Sequence, residues 1–170
     1  DINEVSELDG IRRDGDTVII GAATRQATAE RAGMVHSDVP LLTAAFPFIG
    51  HDQTRNRGTV GGSLAHADPS AEIGLVAMTL GATVVARDDK QERQIGMDDY
   101  FFGPMTTSLE PTECLSEIHF PVWADERRIG TGFNEVSSRD SDFAIVGTAA
   151  QIALDDDGTC RRAALGIANA

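Results

Sequence analysis

The sequence predicts an α+β fold, and three observations carry that prediction. Runs of strand character at 16–24, 82–88 and 113–122 are interleaved with runs of helical character at 38–50 and 69–81, without strict strand–helix–strand alternation. From about residue 130 onward the pattern is strands alone, joined by a polar loop at 137–142 and a turn at Asp157-Gly158. The length, 170 residues with 41% hydrophobic side chains, suits one domain or one and a part.

The elements follow in order. "DTVIIGAAT" (16–24) is a β-branched apolar run after an Asp-Gly turn, hence a strand ended by Gly21. "TRQATAERAGMV" (24–35) has helical spacing, with Thr24 as the expected N-cap. "DVPLLTAAFPFIG" (38–50) is apolar at helical spacing from Pro40, and Pro47 should kink or end that helix. The glycine-rich run 54–72 comes next and reads as a loop. "PSAEIGLVAMTLG" (69–81) carries Glu72 in its first turn and Gly81 after its last apolar position, both helix boundary signals. "ATVVARD" (82–88) is a strand, "DDKQER" a charged turn and "IGMDDYFFGPM" irregular. Within that last run, "YFFGPM" is expected to fold onto the core. "ECLSEIHFPV" (113–122) alternates and is closed by Pro121, which places Cys114 as a small core residue. A break between parts is expected near "WADERRIG" (123–130), with 1–123 as one unit and 130–170 as the start of another.

Composition excludes several functions. The formal net charge of −13 repels double-stranded nucleic acid. Lys90 is the single lysine, which disfavours Schiff-base chemistry. No apolar run is long enough to span a bilayer, and no signal-peptide pattern opens the chain. The two cysteines, Cys114 and Cys160, form no disulfide framework, so a reducing, cytoplasmic setting is expected. The chain opens on Asp rather than Met and stops in a strand-like run, which reads as an incomplete chain. His36, His51, His66 and His119 lack metal-ligand spacing, and no G-x-S-x-G elbow marks a hydrolase.

"TRNRGTVGGSLAHADPSAE" (54–72) concentrates what chemistry remains. The adjacent Gly61 and Gly62 accept positive φ and leave no Cβ to block a ligand. Successive N–H groups there can converge on phosphate oxygens, with Thr59 and Ser63 as hydroxyl donors and Arg55 and Arg57 as nearby charge. A tight turn with flanking charges fits the same residues. The run is neither a P-loop nor a dinucleotide-binding G-x-G-x-x-G.

The stretch "IGHDQTRNRGTVGGSLAHADPSAEIGLVAMTLGATV" resembles the second flavin-binding segment of the medium, FAD-binding subunit of molybdenum hydroxylases, the carbon monoxide dehydrogenase / xanthine dehydrogenase family. The segments before it ("GIRRDGDTVIIGAAT") and after it ("GFNEVSSRDSDFAIVGTAAQIALDDDG") are similar to the same subunit in the same order. The resemblance implies the second subdomain of a PCMH-type FAD-binding domain, followed by the start of the CO-dehydrogenase flavoprotein C-terminal domain. It implies FAD as cofactor, with Thr59, Val60, Gly61, Gly62 and Ser63 wrapping its diphosphate and Glu72 accepting from the adenosine ribose. Ile49 and Leu115 would pack near the flavin, although their local pattern favours plain core packing, and Phe143 with Asp142 would flank the isoalloxazine. Molybdopterin and [2Fe–2S] clusters are implied in partner subunits, a large and a small one, and no residue of this chain need act as acid, base or nucleophile.

The chain departs from the family at two places. Asn134 and Glu135 stand where some relatives carry a lysine near the flavin, which would either lower the flavin potential or shift charge compensation toward Arg139. The family's first glycine loop has no counterpart in residues 1–48, so this chain is expected to hold half of an FAD site. Two other readings stay open on residues alone. One is a non-catalytic interaction module with an anion-binding loop; the other is a flavoenzyme of the vanillyl-alcohol-oxidase type.

Overall fold

The computed structural model describes residues 2–126, 128–139 and 141–169. Strands β1 (Ile11–Asp14) and β2 (Thr17–Gly21) form an antiparallel hairpin whose turn needs Gly15 at φ +54°. Strand β2 pairs with β7 (Cys114–Pro121), β7 with β3 (Thr83–Arg87) and β3 with β4 (Glu92–Gly96), giving a five-stranded antiparallel sheet in the order β1-β2-β7-β3-β4. One face carries Val18, Ile20, Val84, Ala86, Ile118 and Phe120 into the core, as period-2 alternation requires.

Six helices lie between β2 and β3: α1 (Gln26–Arg31), α2 (Gly33–Asp38), α3 (Pro40–Ala45), α4 (Asp52–Arg57), α5 (Val60–His66) and α6 (Glu72–Leu80). Helix α6 is apolar on most sides and buries Ile73, Leu75, Val76, Ala77 and Leu80, ending on Gly81 at φ +68°. Beyond β4 come a single turn, α7 (Met97–Tyr100), and a short pair, β5 (Phe101–Gly103) and β6 (Thr106–Thr107). A separate three-stranded antiparallel sheet follows in the order β10-β9-β8, from β8 (Arg128–Ser137), β9 (Ala144–Leu154) and β10 (Cys160–Ala168).

Small residues seat that sheet on α6. A β-carbon added at Gly166 would lie 2.0 Å from Thr79 Oγ1 and 2.9 Å from Leu75 Cδ1, and one at Gly147 would lie 3.2 Å from Leu75 Cδ2. Arg162 of β10 also stacks over Trp123, 4.1 Å from its ring centroid, beside the end of β7. The opposite sheet face exposes Ile145, Ile152, Leu165 and Ile167.

Several sequence expectations are met: the strands at 16–24, 82–88 and 113–122, the helix at 69–81, and the closing hairpin. Others are corrected. The helix expected over 24–35 is two helices, α1 and α2, separated at Ala32, whose ψ of 118° leaves the helical region. Thr24 does not cap: Arg25 holds the N-cap position, and the Thr24 hydroxyl donates to Gly10 O at 3.1 Å while accepting from Gly10 N at 2.9 Å. The charged turn runs on into strand β4, and the irregular run holds α7 and β5. Tyr100 and Phe101 pack inward, whereas Phe102 and Met105 are exposed. Cys114 is half-buried rather than a core residue, and both thiols are free. Among the described residues no helix is long and apolar enough to cross a membrane.

Candidate functional site

The glycine-rich run folds as two short helices, α4 and α5, instead of a loop. Tertiary bonds override the poor helix propensity of glycine. Residues Ala22 to Gln26 run alongside the segment Gly58 to Gly61. Gln26 N donates to Gly58 O, Val60 N to Thr24 O and Gly61 N to Ala22 O, each at 2.9 Å. Thr59 then caps α5, its Oγ1 accepting from Gly62 N at 3.0 Å, and Ser63 N donates to Thr59 O at 3.2 Å.

This seam corrects the idea of an open nest of amides. The N–H groups of Val60, Gly61, Gly62 and Ser63 each have an acceptor within the protein. The two glycines also have different tasks. Gly61 is buried because α5 lies directly on the end of β2: an added Cβ would sit 2.4 Å from Ala22 Cβ and 2.8 Å from Ala22 O. Gly62 is exposed and presents bare backbone, bounded by Thr59 Oγ1 at 2.6 Å from an added Cβ. Val60 is fully buried.

The flanking cations also divide. Arg55 turns inward as a structural hub: its guanidinium donates to Glu30 Oε2 at 2.9 Å, to Ile49 O at 3.0 Å, to Gly50 O at 3.1 Å and to Asp52 Oδ1 at 2.5 Å. It is therefore not a free charge for a phosphate, which corrects the sequence expectation. Arg57, two positions before Thr59, is exposed and its guanidinium has no partner among the described residues. Its carbonyl receives the Arg25 guanidinium.

Gln26 is a supporting residue that the sequence did not reveal. It is 6% exposed and lies under the segment: an added Cβ at Gly58 would meet Gln26 Oε1 at 2.8 Å. A glutamine in an otherwise small-residue helix start was the available signal, but nothing local ties it to a glycine thirty-two positions on.

The remaining expected residues scatter around this core. Ile49 and Leu115 are 7% and 5% exposed and belong to the hydrophobic core. Asp142 caps its own loop, accepting from Phe143 N at 3.1 Å, with Arg139 at 3.7 Å. Phe143 is 75% exposed. Asp68 accepts from Ser70 N at 2.8 Å. Glu72 opens α6 and lines a narrow cleft with Glu135 of β8. Burial, with Glu135 and Asp68 adding their charge, pushes the Glu72 carboxyl up to about 7. Among the described residues no three metal-ligating side chains gather.

Bare backbone at Gly62, the hydroxyls of Thr59 and Ser63 and the unpaired Arg57 all belong to residues 57–63. Residues 1–123 match the family described as the FAD binding domain in molybdopterin dehydrogenase, and the chain belongs to that family. FAD is that family's cofactor. Among similar proteins, the 6-hydroxypseudooxynicotine dehydrogenase complex subunit alpha of Paenarthrobacter nicotinovorans is 38% identical over 98% of this chain and 56% of its own length. The carbon monoxide dehydrogenase medium chain of Hydrogenophaga pseudoflava is 35% identical over 88% of this chain and 51% of its own length. A solved carbon monoxide dehydrogenase of Hydrogenophaga pseudoflava superposes with a TM-score of 0.92 at 32% identity, covering 99% of this chain and 58% of the solved one. The chain thus spans little more than half the length of these relatives.

Proposed function

We propose that this chain is part of the FAD-binding, electron-transfer subunit of a molybdenum hydroxylase, an oxidoreductase complex. Membership of the FAD-binding family over residues 1–123 is the observation that carries the reading. Bound FAD would accept electrons from [2Fe–2S] clusters in a small partner subunit, while substrate would be hydroxylated at the molybdenum centre of a large one, and would pass them to an acceptor. This chain's residues bind and orient the cofactor.

The exposed members of the site face the ligand: Gly62 lets the diphosphate approach the backbone, Thr59 and Ser63 donate from their hydroxyls, and Arg57 supplies positive charge. Glu72 accepts from ribose hydroxyls. Asp142 and Phe143 flank the isoalloxazine. Val60, Gly61, Ile49 and Leu115 contribute from beneath, by fixing the height of α5 and the floor of the flavin site. Residues 1–123 form the FAD-binding unit and 130–170 belong to the domain that follows. Two free thiols suit a cytoplasmic setting.

The test is reconstitution of the full-length protein with FAD. A yellow product with flavin absorption, weakened by Arg57→Glu without loss of fold, supports the proposal. The amides of residues 60–63 are already used within the protein, so the contacts to the diphosphate fall to the hydroxyls, to the bare backbone at Gly62 and to Arg57. A folded full-length protein that stays colourless after FAD addition would overturn the proposal and favour the interaction module.

A further inference from the structure

Glu72 and Glu135 meet where the two parts of the molecule join. Glu72 stands at the start of α6 and Glu135 on β8, and both line a cleft too narrow to admit a water molecule. Ser70, Phe133, Ala144 and Gly147 close it around them. Glu135 Oε2 is buried there without a hydrogen-bond partner. A buried carboxylate oxygen with neither water nor donor is costly when ionised, and a second carboxylate opposite makes it more so.

The charged groups that act on Glu72 are Glu135 across the cleft and Asp68 in the turn before α6, all acidic. The amide of Glu72 itself is the one group opposing them. Desolvation likewise raises the Glu135 carboxyl above its ordinary value. Among the described residues no cation acts on either carboxyl.

We propose that Glu72 and Glu135 form a proton-dependent clasp that holds the three-stranded sheet against α6 while one of the pair is protonated, and loosens it once both are ionised. The device concerns the chain's own packing and does not rest on the cofactor reading. The sign follows from linkage. Glu72 binds its proton more tightly folded than unfolded, so stability falls as pH rises from about 4.5 through about 7 and levels off above.

Trp123 is the single tryptophan of the sequence, is 3% exposed, and has Arg162 of β10 over its ring, so its fluorescence reports docking of the sheet. The experiment follows Trp123 emission and thermal melting of the full chain between pH 5 and pH 8. The expected result is a red shift and a fall in Tm of about 5 °C with rising pH, flattened in Glu72→Gln and reduced in Glu135→Gln, which removes the facing charge but leaves Glu72 buried. Asp68→Asn should keep most of the slope, because the pair itself is intact. An unchanged slope in either glutamine variant, or a flat wild-type profile, overturns the proposal. Should both variants fail to fold, carbon-detected NMR titration of the wild-type carboxyls decides. One glutamate titrating near neutrality supports the clasp; all glutamates titrating in the ordinary carboxylate range overturns it.

Discussion

Gly61 and Ala22 touch backbone to backbone: the Gly61 amide donates to Ala22 O at 2.9 Å, and a β-carbon at position 61 would sit 2.4 Å from that of Ala22. This contact fixes helix α5 on the end of β2 and thereby sets where Gly62 and Ser63 emerge at the surface. The paired glycines are needed because one lies against the protein and the other faces outward.

Gly61→Ala should therefore destabilise the chain by about 1–3 kcal/mol, although alanine is the better helix former by about 1 kcal/mol. The clash wins because its first partners include Ala22 backbone, which cannot swing away. Thermal melting checks this, with an expected drop of about 3–10 °C.

Arg55 and Arg57 should separate fold from binding. Arg55→Ala strands the carbonyls of Ile49 and Gly50 and removes the partner of Glu30, so a loss of about 3 kcal/mol is expected in denaturant unfolding. Arg57→Glu should leave unfolding within about 0.5 kcal/mol of wild type while weakening FAD binding by the full-length protein about tenfold. Asp52→Asn should cost under about 1 kcal/mol, since Asp52 is solvated.

Gly166→Val should lift β10 from α6, because its side chain would be driven into Thr79 and Leu75. Displacement of Arg162 from Trp123 should then change tryptophan emission without global unfolding. Circular dichroism measured in parallel separates local undocking from loss of the fold.

Acid should act through Glu113. Its carboxylate receives the Arg93 guanidinium at 2.7 and 2.8 Å and the Glu110 amide at 2.8 Å, and these bonds hold it down at about 2. A lowered carboxyl contributes stability above its unfolded value near 4.5 that is lost as pH falls toward 2. Glu113→Gln should flatten that acid limb in melts taken between pH 5 and pH 2, and should leave the slope between about pH 4.5 and 7 attributed to Glu72 unchanged.

Strongly patterned elements were legible in advance. β7 alternates, β9 and β10 flank an Asp-Gly turn, and α6 carries an acidic first turn and a C-terminal glycine, so their local signals agree with their packing. β4 was missed because "ERQIG" holds a single apolar side chain, Ile95, that is buried, and it exists through its pairing with β3. Helix α5 was read as loop because glycine propensity argues against a helix, and only the bonds to Ala22 and Thr24 outweigh it.

By itself the sequence determined the α+β class, the strand and helix order at its well-patterned segments and the family likeness. Periodicity, turn residues and glycine spacing are local, and local patterns survive being read in one dimension. Tertiary structure alone decided which candidate residues have free surface. It turned Arg55 inward and left Arg57 outward, used the amides of residues 60–63 within the protein, and brought Glu135 to Glu72 from sixty-three positions away. Burial and hydrogen-bond partnership depend on what the folded chain places opposite a residue, and sequence spacing holds no record of that.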